Sequence, residues 1–406
     1  MRENKVSRRI GSLCCKITFW IAPLAPLSFC SMGKPSRRRD GAGSSDADAS
    51  ASGSSGPASL YGAFKAGVGN LDDNQIWFIK LSAACLVLYL VAFHTPAWVL
   101  RLVWGLIILA YFIPHLYASF GSTQNLATRY ASTGPAVDKK WAFVSGASSG
   151  IGLAIAKSLA NDGINVVIAA IPDQLLDDAV DQLTAEYGPK GVHVRKCPVN
   201  LGKGDGSYMD EIEKCTSDID VQLVYNNAGF IVTGFFHKTP LEKWMANLEC
   251  NATAQVRITH HFVTKMVDKS LKGAVVFTSS AAACMPSPFA SIYGSSKAFL
   301  SAFAQNIATE LKPKGIDVCV IHPSPVASRF YDKADKIDLM DFFKQFSVEA
   351  DELPSEFSKA VGRSVWKDVG PTAIIFRFVS KLIDLNFMGL LMGVLGKHLP
   401  DYKRYA

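Results

Sequence analysis

The sequence lacks the cysteine and histidine patterns that are typical of structural metal sites and of disulfide-stapled domains. Its nine cysteines include no Cys-x-x-Cys pair, and several fall in predicted strands or helices, where cysteine behaves as a small hydrophobic residue. The adjacent His260 and His261 point to different faces of a predicted helix. These absences argue against zinc and other metal sites and favour a reduced compartment for the globular part.

The sequence also lacks a basic surface pattern of the kind that binds nucleic acid. Lysine and arginine outnumber aspartate and glutamate by 42 to 35, but they are scattered, and 37–39 is the one tight basic cluster. No basic face with interleaved aromatic residues is visible. We therefore expect no nucleic-acid partner and interpret the cluster as a solvated run in a linker or beside a membrane.

Apolar residues are abundant, at 49% of the chain, and their excess lies near the N-terminus. Residues 1–32 begin with basic positions and continue as an apolar run, which is typical of a signal peptide or weak signal anchor, or else of an uncleaved leader. Residues 33–59 are rich in Ser, Gly, Ala and Asp. They bury too little apolar surface to offset chain entropy, so a flexible, disordered linker is predicted there.

Residues 60–120 contain a predicted membrane segment. Leu81–Phe93 and Leu102–Ile113 are almost wholly apolar, with aromatic residues near their ends, and Pro96 separates them. Each half is shorter than the roughly 20 residues that a span needs. The pattern predicts either a hairpin of two short tilted helices or one span plus an interfacial helix, and the alternative is a helix pair buried in a soluble core.

From Trp141 onward the sequence alternates between apolar strands and helical segments. Six such strands lie between residues 141 and 325, and most of them are apolar without interruption. Parallel strands buried on both faces have this composition. We therefore predict an α/β fold over residues 137–328, with a doubly wound parallel sheet of the Rossmann type.

A glycine-rich turn follows the first of these strands and opens a helix. Gly146 permits the tight turn, Gly150 lets the backbone approach a pyrophosphate, and Gly152 lets the helix pack closely on the strand. The helix N-terminus would then face the phosphates. About twenty residues on, Ala170 stands where an acid would hold the ribose of NAD, so NADP(H) is mildly favoured and NAD(H) stays open.

Three polar residues form a candidate catalytic set. Tyr293 and Lys297 are four apart and share a helix face, and Ser280 ends an apolar strand. A nearby ammonium would favour the tyrosine phenolate and lower its pKa toward neutrality. The serine hydroxyl would polarise the same carbonyl oxygen.

These residues, together with the Asn226–Gly229 stretch, resemble the short-chain dehydrogenase/reductase family over residues 137–328. The resemblance implies that Tyr293 is the general acid/base, that Lys297 binds the nicotinamide ribose, that Ser280 steadies substrate and that Asn251 holds a water in a proton relay. It implies a cofactor site formed by Gly146, Ser148, Ser149, Gly150, Ile151, Gly152, Asn200, Asn227, Ala228, Gly229, Tyr293, Lys297, Pro323, Val326 and Ser328.

The chain departs from the family pattern at three positions. Ser324 stands where glycine is usual, Ser328 replaces threonine but keeps a hydroxyl, and Asn200 replaces the aspartate that meets adenine. Asn251 also begins an Asn-Ala-Thr glycosylation motif. A glycan in the pocket would abolish function, so the domain is predicted to face the cytosol or to bury this site.

The resemblance extends to the membrane-anchored branch that contains very-long-chain 3-oxoacyl-CoA reductases and 17β-hydroxysteroid dehydrogenases. It rests on the membrane segment, on the residues Gln124-Asn125-Leu126, on an amphipathic insertion at 329–370, interpreted as a substrate lid, and on an apolar helix with a basic tail at 371–406. That helix is predicted to be interfacial or core-packed rather than spanning.

The resemblance implies an endoplasmic reticulum membrane protein that reduces a ketone of a lipid substrate with NADPH, with a 3-oxoacyl-CoA of fatty acid elongation as the favoured substrate. Another organelle is possible given the signal-like leader. A 17β-hydroxysteroid or retinol-type dehydrogenase is the first alternative, and a dinucleotide-binding membrane scaffold without turnover is the second. A homodimer is a further expectation from the family.

Overall fold

A computed structural model of the protein describes residues 96–130, 140–332, 335 and 337–405, together with isolated positions between 82 and 90. The predicted leader at 1–32 and linker at 33–59 lie outside the described residues, as does most of the first apolar half of the membrane segment. The account below concerns the compact unit His94–Ala406.

A seven-stranded parallel sheet forms the centre of this unit. Its strands follow the order β3-β2-β1-β4-β5-β6-β9, and all six pairings are parallel. The strands are β1 (Trp141–Ser145), β2 (Asn165–Ala170), β3 (Val194–Pro198), β4 (Val221–Asn226), β5 (Gly273–Thr278), β6 (Ile316–Pro323) and β9 (Trp366–Val369), and β7 (Val326–Ala327) pairs separately with β8 (Val348–Glu349). The predicted doubly wound Rossmann-type fold is confirmed.

Helices cover both faces of the sheet. The helices of the described residues are α1 (Ala97–Phe120), α2 (Leu126–Arg129), α3 (Gly150–Asn161), α4 (Gln174–Tyr187), α5 (Tyr208–Thr216), α6 (Leu241–Leu248), α7 (Ala254–Asp268), α8 (Ser291–Leu311), α9 (Asp338–Lys344), α10 (Leu353–Ala360), α11 (Pro371–Leu382), α12 (Leu385–Leu395) and α13 (Pro400–Tyr405). One apolar core joins the sheet to α3, α4 and α10, and a second joins it to α5, α7 and α8. The strands β2, β4, β5 and β6 are buried on both faces of the sheet because each core covers one face.

The sheet continues beyond the boundary at residue 328 that the sequence predicted. β9 pairs with β6 through four residues, yet it lies inside the range 329–370 that was assigned to the lid. Its sequence, Trp-Lys-Asp-Val, is too short and polar to stand out as a strand. It is held in place because Lys367 and Asp368, both buried, find charged partners in the fold.

The second half of the predicted membrane segment is one continuous helix rather than a short piece. α1 has 24 residues and begins directly after Pro96. Among the described helices, it is long and apolar enough to cross a membrane by itself, and its most apolar window is not buried in the protein. A helix pair buried in a soluble core is therefore the wrong description of α1.

The segment after α1 is fixed to the parallel sheet and its helices by a cluster of polar contacts, which we call the dock. The Gln124 side-chain amide donates to the carbonyl oxygens of Ser358 (3.0 Å) and Val361 (3.1 Å). The Asp317 carboxylate, at the start of β6, accepts from Arg129 (3.1 Å) and from the Tyr130 hydroxyl (2.7 Å). The segment that follows α1 is therefore held firmly against the sheet unit.

The apolar C-terminal region forms three helices instead of the single one predicted. α11 and the segment Leu385–His398, which begins with α12, meet at an angle of 107°. Asp384 produces this break, because its side chain accepts hydrogen bonds from the backbone N–H groups of Asn386 and Phe387 and thereby caps α12. No residue of α12 is buried.

Candidate active site

A cavity of about 720 Å³ opens at the carboxyl ends of the parallel strands. It lies where β1 pairs with both β2 and β4, which is the point at which the strand order reverses. Ligands of open α/β sheets bind at such a point. The cavity is lined by all the predicted site residues except Gly152 and Asn251: Gly146, Ser148, Ser149, Gly150, Ile151, Asn200, Asn227, Ala228, Gly229, Ser280, Tyr293, Lys297, Pro323, Val326 and Ser328.

The glycine turn has the geometry that its sequence predicts. Gly146 and Gly150 have positive φ angles of 65° and 56°, which other residues adopt only under strain. A Cβ on Gly152 would lie 2.7 Å from the Asn227 amide nitrogen and would collide with the Gly146 carbonyl oxygen. The helix α3 can approach β1 closely because this position has no side chain.

The amino end of α3 is open toward the cavity. Its N-cap residue, Ser149, makes no side-chain capping hydrogen bond, and the first turn contains no acidic residue. The free N–H groups and the helix dipole therefore favour an anion at this end. A dinucleotide pyrophosphate fits this arrangement, since Ser148 and Gly150 line the cavity at the same place.

A buried serine that the sequence analysis did not single out holds the turn against β4. The Ser145 hydroxyl donates to the Tyr225 carbonyl oxygen (3.2 Å) and accepts from the backbone N–H groups of Asn227 (3.0 Å) and Ala228 (3.1 Å). Asn227 in turn accepts from the Thr278 hydroxyl (3.0 Å). The carboxyl ends of β1, β4 and β5 are thus tied together below the cofactor site.

Tyr293, Ser280 and Lys297 converge on one part of the cavity, as their spacing predicts. Burial raises the pKa of Tyr293 to about 12, and a hydrogen bond with Ser280 offsets part of that rise. The expected lowering of this pKa by Lys297 is not seen, because the burial of Tyr293 is the larger effect. Burial also lowers the pKa of Lys297, to about 8. The ammonium lies 5.8 Å from the tyrosine ring centroid and donates to the Thr278 carbonyl oxygen at 2.7 Å.

The backbone around Lys297 is fixed by two hydroxyl groups. Ser279 and Ser301 both donate to the Lys297 carbonyl oxygen, each at 2.8 Å. Ser279 follows β5 and Lys297 lies on α8, so the Ser279 bond joins this helix to the end of the strand, whereas the Ser301 bond lies within the helix. The side chain of Lys297 is thereby aimed at the cavity although the residue itself is only 3% exposed.

Asn251 lies in a π-helical turn, Glu249–Thr253, between α6 and α7. Its amide accepts from the Phe230 backbone N–H (3.0 Å) and donates to the Phe230 carbonyl oxygen (2.9 Å). Its oxygen also lies close to the backbone of Gly229, near the Lys297 ammonium. Such turns occur mostly at functional sites, and Asn251 is fully buried, so its glycosylation motif is inaccessible in the folded protein.

The loop after β6 reaches across the cavity to the glycine turn. A Cβ built on Gly150 would meet the Cβ of Ser328 at 3.4 Å, which places this hydroxyl beside the helix amino end. Asn200 lies at the opposite end, where its side chain accepts from the Gly202 backbone N–H at 3.0 Å. The cavity thus extends from the adenine position to the nicotinamide position predicted from the sequence.

Aromatic residues of the lid approach the catalytic tyrosine, and the sequence analysis did not single them out. The rings of Phe330 and Tyr293 have centroids 5.7 Å apart, and Phe330 packs edge-on against Tyr331 at 5.1 Å. Both residues line the cavity. Burial raises the pKa of Tyr331. The Tyr293 ring therefore lies beside an aromatic wall of the cavity.

Comparisons with known proteins agree with this geometry. The model of the short chain dehydrogenase family matches residues 140–337. A very-long-chain 3-oxoacyl-CoA reductase from Pyrenophora tritici-repentis is 31% identical over 183 residues, which is 44% of this chain and 53% of that protein. Hydroxysteroid dehydrogenase-like protein 1 from Gallus gallus is 29% identical over 227 residues, 55% of this chain and 66% of that protein.

A solved structure shares the fold as well. The short-chain dehydrogenase from Sphingobium yanoikuyae in complex with NADPH is 27% identical and superposes with a TM-score of 0.50 over 56% of this chain and 87% of its own. The sequence match to the Pyrenophora reductase spans about half of that relative's length. Residues 140–337, which carry the glycine turn and the convergent Ser280, Tyr293 and Lys297, match the short chain dehydrogenase family over just under half of this chain.

Proposed function

We propose that this protein is a membrane-anchored oxidoreductase that transfers a hydride from NADPH to a ketone of a lipid substrate, with a 3-oxoacyl-CoA of fatty acid elongation as the favoured substrate. The observation that carries the proposal is the convergence of Ser280, Tyr293 and Lys297 in the same cavity as the open amino end of α3. The relatives named as very-long-chain 3-oxoacyl-CoA reductases support the substrate class.

The protein's own groups account for the proton and for the orientation of the carbonyl. With a pKa of about 12, the Tyr293 hydroxyl stays protonated at neutral pH and can donate its proton to the carbonyl oxygen. The Ser280 hydroxyl hydrogen-bonds to the same oxygen and stabilises the charge that develops there. Lys297, together with Asn251 and a water, resupplies the proton. Bound NADPH supplies the hydride.

The region around β2 supports NADPH as the cofactor without excluding NADH. Ala170 ends β2, so no carboxylate stands at the position that would repel a 2′-phosphate. Asp173 lines the cavity nearby, but its carboxylate accepts from the Leu176 backbone N–H at 3.1 Å and caps α4. The Sphingobium relative holds NADPH in its structure.

Two apolar elements support a membrane location. α1 is long enough to span a bilayer, and α12 exposes Phe387, Leu390 and Val394, each by more than half. An uncharged helix of this kind gains free energy by lying in the interface of a bilayer.

We propose the endoplasmic reticulum membrane with the catalytic unit on the cytosolic side, because an anchored site can sample long acyl chains that partition into the bilayer. Another organelle is the alternative, given the signal-like leader.

The proposal is tested with the purified full-length protein in detergent or vesicles. NADPH oxidation should depend on a long-chain 3-oxoacyl-CoA, and Tyr293→Phe should lower kcat by about 10²- to 10⁴-fold because the proton donor is lost. Tyr187→Phe is the matched control, since Tyr187 is a buried tyrosine on α4 outside the cavity. Full activity of Tyr293→Phe would overturn the mechanism.

A 17β-hydroxysteroid or retinol-type dehydrogenase is the second candidate function. The similarity to hydroxysteroid dehydrogenase-like protein 1 extends over more of this chain than the Pyrenophora match does, and the aromatic wall of Phe330 and Tyr331 suits a sterol equally. A panel of 3-oxoacyl-CoA, steroid and retinoid substrates separates the two candidates. NADPH binding with no turnover on the whole panel would support a non-catalytic scaffold. Homodimerisation stays a prediction.

A further inference from the structure

The last helix of the chain is fastened to the lid by charge-assisted hydrogen bonds. The Arg404 guanidinium donates to both carboxylate oxygens of Asp338, at 2.7 and 2.8 Å, and also to Asp401 at 3.1 Å. The backbone N–H of Asp338 donates to Asp401 at 2.7 Å. Asp401 is only 2% exposed. Nη2 of Arg404 contacts Asp338 on α9 while Nη1 contacts Asp401, so this one guanidinium joins α13 to the lid helix α9.

The same helix contacts the loop that follows β4. The Tyr402 ring packs edge-on against Phe235, with centroids 5.1 Å apart, and Phe235 packs edge-on against Phe289 at 5.6 Å. Phe289 is four residues before Tyr293, and its carbonyl oxygen accepts from the Gly234 backbone N–H at 2.8 Å. α13 is therefore linked through Phe235 to the segment that carries the catalytic tyrosine.

Both of these elements continue into the walls of the catalytic cavity. Phe230 and Ile231 of the loop after β4 line it, and so do Tyr331 and Asp332 at the start of the lid. Beyond these wall residues, the Thr233 hydroxyl joins the loop to the lid by accepting from the Asp335 backbone N–H at 2.9 Å. α13 thus bridges the two sides of the cavity beside Tyr293.

We propose that α13 is a strap that holds the lid closed, and that Arg404 is a positioning residue for the substrate. The strap joins α9 to the loop after β4. It thereby sets the width of the opening through which the apolar chain of a bound substrate extends out of the cavity. That the substrate carries a long acyl chain rests on the proposed function. That α13 fastens the lid rests only on the contacts described above.

The neighbouring Lys403 provides a matched control. It is exposed and has no ion pair among the described residues, whereas Arg404 has two. Of these two basic residues, the strap requires only Arg404. If the adjacent basic pair near the C-terminus acted only as a localisation signal, both residues would count equally and neither would affect the lid.

The first experiment measures hydrogen exchange of the α9 amides in the full-length protein. Arg404→Gln and Asp338→Asn should each raise exchange about tenfold, and the double variant should add little more because the two changes remove the same bonds. Lys403→Gln should have no effect. Unchanged exchange in Arg404→Gln, or an equal effect of Lys403→Gln, would overturn the strap.

The second experiment measures steady-state kinetics with 3-oxohexadecanoyl-CoA. Arg404→Gln should raise KM for this substrate about fivefold, with kcat and the KM for NADPH unchanged within twofold, because the strap touches neither the reacting atoms nor the cofactor site. An unchanged KM in a variant with a loosened lid would overturn the positioning role. If the wild-type protein does not reduce this substrate, the proposed function fails, while the exchange measurement still decides the strap.

Discussion

At the scale of single residues, burial dominates the electrostatics of the catalytic pair. It raises the pKa of Tyr293 and lowers that of Lys297 because each charged form loses solvation. A proton donor benefits from this arrangement, since the tyrosine keeps its proton at neutral pH. Of the two residues, Lys297 is therefore the one whose pKa lies nearer to physiological pH.

We predict that the alkaline limb of the pH profile belongs to Lys297. The value of kcat/KM for NADPH, which reports groups of the free enzyme, should be level below about pH 7 and should fall above about pH 8 as Lys297 loses its proton. Tyr293, with a pKa of about 12, is still protonated there. In the Lys297→Arg variant, the residual kcat/KM should no longer fall near pH 8. If it still falls near pH 8, the decrease belongs to another group.

Local spacing explains why much of the site was predictable from the sequence. Gly146, Gly150 and Gly152 sit in one turn, and Tyr293 and Lys297 sit one helical turn apart, so short-range geometry places them. Ser145 was missed because its partner Ala228 is 83 residues away. The lowered pKa expected for Tyr293 was also wrong, since the sequence does not give the depth of burial that opposes it.

At the scale of elements, the dock shows how one buried carboxylate can fix a segment. Burial alone would raise the pKa of Asp317, but hydrogen bonds from Lys312, Tyr130 and Arg129 outweigh it and lower the pKa below its ordinary value. The resulting stabilisation is fully present above the ordinary pKa of an aspartate and is lost as the pH falls through the lowered one. The dock is therefore intact at neutral pH.

We predict that Asp317→Asn weakens the dock substantially. Removing the charge leaves Arg129 and Lys312 without their anion and should cost about 2 kcal/mol, which lowers Tm by about 4 to 8 °C for a domain of this size. Asp218→Asn is the matched control, because Asp218 pairs with Arg195 but is 63% exposed, and such pairs contribute about 0 to 1 kcal/mol. Equal shifts in the two variants, measured by thermal unfolding, would contradict this role.

Elements with a clear apolar pattern could be predicted from the sequence, whereas elements that depend on tertiary contacts could not. The strands β2, β4, β5 and β6 are buried throughout, and β1 is buried except at Trp141. These five strands are recognisable in the sequence as apolar runs. β9 was assigned to the lid because only its pairing with β6 makes it a strand. The π-helical turn at Asn251 was also missed, since it is continuous with the helices α6 and α7 on either side of it.

At the scale of the whole molecule, apolar surface is concentrated on two helices. More than half of the large apolar side chains that are exposed in the described residues lie on α1 and α12. Basic residues flank α12 on both sides, with Lys381 before it and Lys397 after it. Such flanks favour contact with anionic lipid head groups.

We predict that α12 inserts into the lipid interface. In vesicles that contain brominated lipids, a tryptophan introduced by Phe387→Trp should be quenched relative to the parent protein, because its side chain would lie among the acyl chains. Leu241→Trp is the control, since Leu241 is 61% exposed on α6, a helix of the reductase unit. Equal quenching of both reporters, or quenching of neither, would contradict insertion of α12.

The dock also has a consequence for how the protein is made. Gln124 binds to a carbonyl oxygen 234 positions later in the chain, so its partner does not exist when α1 leaves the ribosome. At synthesis rates of roughly 5 to 20 residues per second, the interval is about 10 to 50 seconds. The contacts of the dock therefore form only after most of the chain has been synthesised, and attachment of the segment after α1 to the sheet is one of the last steps of folding.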